Sequence, residues 1–414
     1  MTCPALPAGG ALTRPAMARD GSIYRTTIPI EIEVPPDVFE EAAAGLPEGA
    51  AFAEAVAARL AKRGVQFEWQ EPHVAPDVAA VDRIVRARGS SSIEMVRADP
   101  SLLPALQVGS WLDAPSTTRL ARRAPPALGI AGAGLSSRFS GTRFDLGFWR
   151  GVREQASDDE WRRLAGASYV ALLYHRIAGE GRPEEERLDV PPRLFKRQMR
   201  ILRALRFHPL APEEVLAVHK GELIAPRRSY VLTADDGFVD AIEEFLQAVD
   251  HQPQMFVPTR RVGEVVQWAP GAQVADWSQL AAADRAGVRI GSHTRRHIAL
   301  AGLTAGEAAE ELAGSLADLR ERLADPLPFL AYPHGSFDEV SRGAAAAAGY
   351  QVAYTTAPGR NGAGTDPLAL RRISVKGWDT TASFLWKVVT GTHVPGWWDE
   401  LCRRRYLRKG SSQS

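Results

Sequence analysis

Residues Tyr230–Asp240 read YVLTADDGFVD. An apolar run ends on two adjacent acids, Asp235 and Asp236, and glycine follows at once. The run predicts a buried strand, and FVDAIEEFLQAVD behind it predicts a helix. Two like charges where a buried strand ends repel one another. A bound dication would offset that repulsion and separate their roles, one carboxylate as ligand and the other as proton acceptor.

Outward from this stretch the same alternation recurs. Strands are predicted at SYVALLYH, QMFVPT, VRIGSH, PFLAYP and YQVAYTT. Between them lie helices at PPRLFKRQMRILRALRF, with proline near its start, and at DWSQLAAADRAG, closed by glycine. A third, TAGEAAEELAGSLADLRERLA, opens on threonine with glutamate three residues on, and DEVSRGAAAAAG is the fourth. Repeated strand–helix units imply a parallel sheet, either closed into a barrel or left open. In such a sheet, functional side chains collect at the C-terminal strand ends. Asp235, Asp236, His175, His293 and the turn Tyr332–Gly335 (YPHG) all fall there.

His293 and His297 are four residues apart. If a helical turn starts at His293, both imidazoles face one way. Two histidines with Asp236 suit a zinc-like ion that keeps positions open for water and substrate, and Asp235 is left as the base. Alone, Asp-Asp-Gly is equally the composition of a turn, and His-x-x-x-His recurs by chance. Their order and strand-end positions argue for a site.

The bulk composition is that of an ordinary globular chain. The 414 residues are 45% hydrophobic and 24% charged, with a formal net charge of +1, which gives no reason to expect a nucleic-acid partner. Two cysteines, Cys3 and Cys402, make neither a disulfide framework nor a Cys-x-x-Cys metal site. No signal-peptide core and no long apolar span is read, so the expected location is cytoplasmic.

With these motifs on the page, the sequence resembles the NodB-type polysaccharide deacetylases, carbohydrate esterase family 4. LTADDG is similar to the family's Thr-Phe-Asp-Asp-Gly, with Ala234 in place of Phe, and HTRRH to its His-Ser/Thr-x-x-His. FLAYPHG is similar to a Phe-Ala-Tyr-Pro-Tyr-Gly variant of the third motif, and LLYHRI, GYQVAYTT and LRRISV also fit. The resemblance implies a distorted (β/α) barrel over residues 166–395 and one divalent metal ion, zinc or else cobalt, nickel or manganese. It implies Asp235 as catalytic base, Asp236, His293 and His297 as metal ligands, and the backbone N–H of His334 as oxyanion donor. Tyr332, Pro333 and Gly335 are the expected substrate-contacting residues. Two departures stand out. Ala331 occupies a position where many members have Arg. The late region RRISVKGWD lacks the histidine that many members use as general acid. His175 and His334 are the candidates for that proton donor, and either could equally be a packing histidine.

Residues 1–27 are expected to be disordered, and residues 28–113 to form a small α/β or α+β region with strands at TTIPIEIEVP and VQFEW. The segment PPDVFEEAAAGLPEGAAFAEAVAARLAKRGVQFEW resembles the C-terminal part of a glycosyltransferase family 2 domain, with only Glu54 where an acidic pair is usual. Residues 114–165 read as linker and bridging helix, and 396–414 as a basic tail, solvated or else lying on an anionic membrane. Three functions stay open: a deacetylase acting on an N-acetylated amino sugar or glycan, a deformylase or other amide hydrolase acting on a small intermediate, and a degenerate deacetylase that binds a glycan or protein partner.

Overall fold

A computed structural model describes Ala16–Met17, Ile23–Tyr24, residues 41–47, 49, 51–62, 78–114, 119, 140–179 and 189–410. Two compact units divide between Gly166 and Ala167. The strands expected at TTIPIEIEVP and VQFEW lie outside the described residues.

Apart from a short antiparallel pair, Ala16–Met17 with Ile23–Tyr24, the first unit is helical where described. Its main elements are α1 (Phe52–Lys62), α2 (Val78–Ala98) and α3 (Ser140–Gln155). α2 runs through Gly89 and continues nine residues beyond it. Gly89 is a contact point and not a stop. A Cβ there would sit 2.0 Å from the carbonyl oxygen of Phe148, and one on Gly151 would sit 1.9 Å from that of Arg86. The two glycines let the α2 and α3 backbones touch. The bridging helix read over 148–166 is broken at Ser157, which caps a new turn through Glu160 in a capping box. Trp111 packs edge-on against Trp149 at 4.9 Å and Trp161 at 5.3 Å. Glu54 accepts from Arg88 and from the backbone N–H of Gln107, so its carboxylate ties α1 to α2 and to the following segment.

The second unit is a distorted (β/α) barrel, a curled sheet of eight parallel strands with helices around it. In chain order its elements are β1 (Tyr169–Tyr174), α4 (Pro192–Ala204), β2 (His208–Pro209), α5 (Pro212–His219), β3 (Ser229–Ala234) and α6 (Val239–Ala248). Then come β4 (Gln254–Val257), α7 (Trp277–Arg285), β5 (Arg289–Ser292), α8 (Ala305–Arg322), β6 (Phe329–Ala331), α9 (Glu339–Ala348) and β7 (Val352–Tyr354). The chain finishes with β8 (Ile373–Ser374), α10 (Thr381–Thr390) and α11 (Gly396–Gly410). Strand order is β8-β1-β3-β4-β5-β6-β7, with β2 beside β3. β1, β3, β4, β6 and β7 are buried throughout, as their near-continuous apolar sequences require of a sheet covered on both faces.

Register brings the strand ends level. Tyr174 pairs with Ala234, Val257 with Ser292 and Ala331 with Tyr354. The residues that follow these pairs, among them His175, Asp235, His293 and Tyr332, therefore leave the sheet on one rim. The tail is not loose through residue 410. It forms α11, whose Asp399 accepts from Lys376 Nζ at 2.8 Å and Trp378 Nε1 at 3.1 Å, and whose Cys402 is buried.

Replacing Gly151 by Val forces α2 and α3 apart. The cost predicted is about 2–3 kcal/mol of stability in the first unit. Hydrogen exchange of α2 and α3 amides checks this, and protection unchanged from the parent chain contradicts the close approach.

Candidate functional site

The Asp-Asp-Gly turn sits where β3 ends. The backbone N–H of Asp235 donates to Tyr174 O of β1 at 3.0 Å. Asp236 then adopts φ 71° and Gly237 φ 69°. A side chain on Gly237 would press on Val257 at 3.0 Å, so both conformation and space favour glycine there. The two carboxylates are buried and diverge in their partners.

Asp235 is held by Arg372, a residue the sequence reading did not single out. The guanidinium donates from Nη1 to Oδ1 at 2.6 Å and from Nη2 to Oδ2 at 2.7 Å. Arg372 is itself wholly buried and also donates from Nε to Thr355 O at 2.9 Å. Burial pushes the Asp235 carboxyl up, but Arg372, then His293 and His175, more than offset it and hold it below its ordinary range.

Asp236 faces the histidines. Its Oδ1 lies 3.1 Å from His297 Nε2 and 3.6 Å from His293 Nε2. Ligand atoms of Asp236, His293 and His297 all fall within 4.8 Å of one another. Burial raises the Asp236 carboxyl, while the adjacent His297 and the charges of His175 and His293 bring it down to about 2. Burial drives the His293 imidazole down to about 4, which keeps it neutral as a ligand must be. Its Nδ1–H donates to Ala331 O at 2.7 Å, so Nε2 is turned toward the carboxylates. Oδ1 of Asp236 is buried and lacks a well-formed hydrogen bond. An orphaned carboxylate oxygen between two imidazole nitrogens fits a divalent cation of the zinc type.

The histidines converge, but by a different route from the helical turn considered from sequence. Residues 293–297 are not helical, and Thr294 (φ 64°) and His297 (φ 63°) are both left-handed. Such backbone persists only where its surroundings over-determine it. Here α8 does so. Buried Glu311 accepts from the backbone N–H groups of Arg295 and Arg296 at 3.0 Å each, and Asp318 takes both Nε and Nη2 of Arg295. Trp268 stacks on His297 with centroids 4.5 Å apart and planes at 17°. Neither Glu311 nor Trp268 carries a sequence signal, since one lies in an amphipathic helix and the other in a loop.

His334 is exposed, with φ 59° and its ring 5.0 Å from that of His297. Burial and the neighbouring His297 hold its imidazole below the ordinary range. His175 is half-buried and within electrostatic reach of Asp235, Asp236 and His334. Tyr332 and Pro333 are buried. Tyr332 stacks on Phe337 at 4.8 Å and donates its hydroxyl to Leu368 O, so its side chain braces the turn and faces away from the rim. Gly335 (φ 70°) lies against Thr356, where a Cβ would come within 2.2 Å of Oγ1.

Residues 224–353 match the family model described as polysaccharide deacetylase. "Putative polysaccharide deacetylase YxkH" of Bacillus subtilis (strain 168) is 26% identical over 212 residues, half of this chain and 72% of that protein. Among solved structures, the Streptococcus pyogenes deacetylase PplD in complex with acetate is 23% identical with a TM-score of 0.47, covering 53% of this chain and 97% of that one. IcaB from Ammonifex degensii is 22% identical with a TM-score of 0.48, covering 55% and 97%.

Two outcomes test this geometry. Arg372→Met leaves a buried carboxylate unpaired and should cost about 3–5 kcal/mol in chemical denaturation, with much of the loss recovered in Arg372→Met/Asp235→Asn. A single variant as stable as the parent contradicts the pairing. Loading with zinc, then dialysis and elemental analysis, should leave about one ion per chain. His293→Ala should lose it, and a parent chain that retains none contradicts a metal site.

Proposed function

We propose, from the match of residues 224–353 to the polysaccharide deacetylase family model, that this chain is a metal-dependent hydrolase removing the N-acetyl group of an amino sugar or glycan. The observation that carries this reading is the division of labour between Asp235 and Asp236. One is locked to a guanidinium, and the other is left with an orphaned oxygen between two imidazoles.

Asp236, His293 and His297 would hold the ion, zinc by the chemistry of the donors or else cobalt, nickel or manganese. When bound, it supplies Lewis acidity that polarises an acyl oxygen and makes water more acidic. The remaining roles belong to side chains and backbone of this chain. Asp235 is kept ionised by Arg372, and the bidentate clamp fixes where its lone pairs point. It accepts the proton of the attacking water as the new C–O bond forms. The backbone N–H of His334, in its left-handed turn, is the oxyanion donor. The C–N bond then breaks, acetate leaves, and the amine nitrogen takes a proton. His175 is the donor we assign to that step. It leaves the strand adjacent to the one that carries Asp235.

Asp235→Asn keeps the shape of the side chain but removes the base. It should lower kcat on N-acetylated amino sugars by about a thousandfold, within the range for a general base, while bound zinc stays at about one ion per chain. Turnover equal to that of the parent would remove Asp235 from the mechanism. Assay of N-acetyl against N-formyl sugars, with acetate and formate release as the respective readouts, tests the acyl group.

A further inference from the structure

The two C-terminal helices, α10 and α11, present large apolar side chains to solvent. Trp397 is 72% exposed, Val389 60%, Leu401 41% and Trp386 40%. The tryptophans are contiguous. Trp386 meets Trp398 with centroids 6.0 Å apart, and Trp398 stacks on Trp397 at 6.3 Å. Trp397, Leu401 and Arg404 recur at helical spacing, so one stripe of α11 passes from aromatic to aliphatic to cationic. The opposite side is committed inward through Asp399 and Cys402. α11 carries five basic and two acidic residues; Asp399 is engaged by Lys376 and Trp378, and Glu400 pairs with Arg404 at 2.8 Å and Arg403 at 3.5 Å, so the helix keeps an excess of positive charge.

We infer that α10 and α11 form a docking surface for an anionic lipid bilayer. Tryptophan is suited to the headgroup region, where its ring is apolar and its N–H is wet. Arginines flanking such a patch reach the phosphates while their stems cover apolar surface. The mix of tryptophan, valine, leucine and clustered arginine argues for lipid and against a carbohydrate platform, which would need neither the aliphatic residues nor the charge. No helix among the described residues is long and apolar enough to cross a membrane, so the contact is with the surface. The inference is independent of the catalytic reading, since none of these residues lies on the rim that holds the carboxylates and histidines.

Co-sedimentation of the full chain with vesicles tests it. The chain should bind equimolar phosphatidylcholine and phosphatidylglycerol, with a blue shift of tryptophan fluorescence, and bind pure phosphatidylcholine at least about tenfold less well. Trp397→Ser should weaken binding to the anionic vesicles by about tenfold, as should Arg403→Glu/Arg404→Glu/Arg405→Glu, with melting temperatures showing that each variant is folded. Failure to bind anionic vesicles overturns the inference, and so does binding unaffected by either variant. Trp397-dependent self-association in sedimentation velocity, or chitooligosaccharide quenching of fluorescence without vesicle binding, would instead assign the surface to a second copy or to a glycan.

Discussion

Two neighbouring carboxylates are buried at the end of one strand, and the rest of the rim is arranged around keeping both of them charged. Adjacent buried anions in a low-dielectric site are tolerable only if each has its own compensation. Asp235 has a guanidinium in bidentate contact, itself fixed by Thr355 O and lying 5.6 Å from the ring of Tyr354. Asp236 has two imidazoles, one of them oriented by Ala331 O. The left-handed turn at Asp236 and Gly237 sends the two side chains to these different partners. Without that divergence the pair would share one environment and one proton.

Strain follows from the same requirement. Asp236, Thr294, His297 and His334 all hold positive φ without being glycine, and all four stand on the functional rim. Such conformations cost of order 1–3 kcal/mol each. The compensation is visible in Glu311, which accepts two backbone N–H groups of the histidine turn, and in Asp318, which clamps Arg295. A helix behind the barrel thus fixes where an imidazole points in front of it.

Much of this was legible from the chain alone, for physical reasons that also set the limits. Alternating strands and helices imply a parallel sheet, and a parallel sheet gathers its C-terminal ends, so Asp235, Asp236, His175 and His293 could be placed together before any contact was known. The route to His297 could not, because left-handed residues such as Thr294 leave no trace in spacing. Arg372 was hidden for another reason. In LRRISV nothing tells which arginine turns inward, and its partner lies 137 residues away. β8 is two residues long, too short for any periodic pattern. Gly89 is ambiguous in the sequence because glycine marks both helix ends and close helix contacts, and only the facing Phe148 carbonyl distinguishes them. The tail reads as solvated from its charge, while its order depends on Lys376 and Trp378 meeting Asp399.

The central claim is that one carboxylate and two imidazoles of this chain form a single coordination sphere. X-ray absorption at the zinc edge of the loaded protein measures that sphere directly. The account predicts a first shell of nitrogen and oxygen at about 2.0 Å, with the outer-shell scattering of two imidazoles. A spectrum with no imidazole contribution, or with a fully hydrated ion, would contradict it.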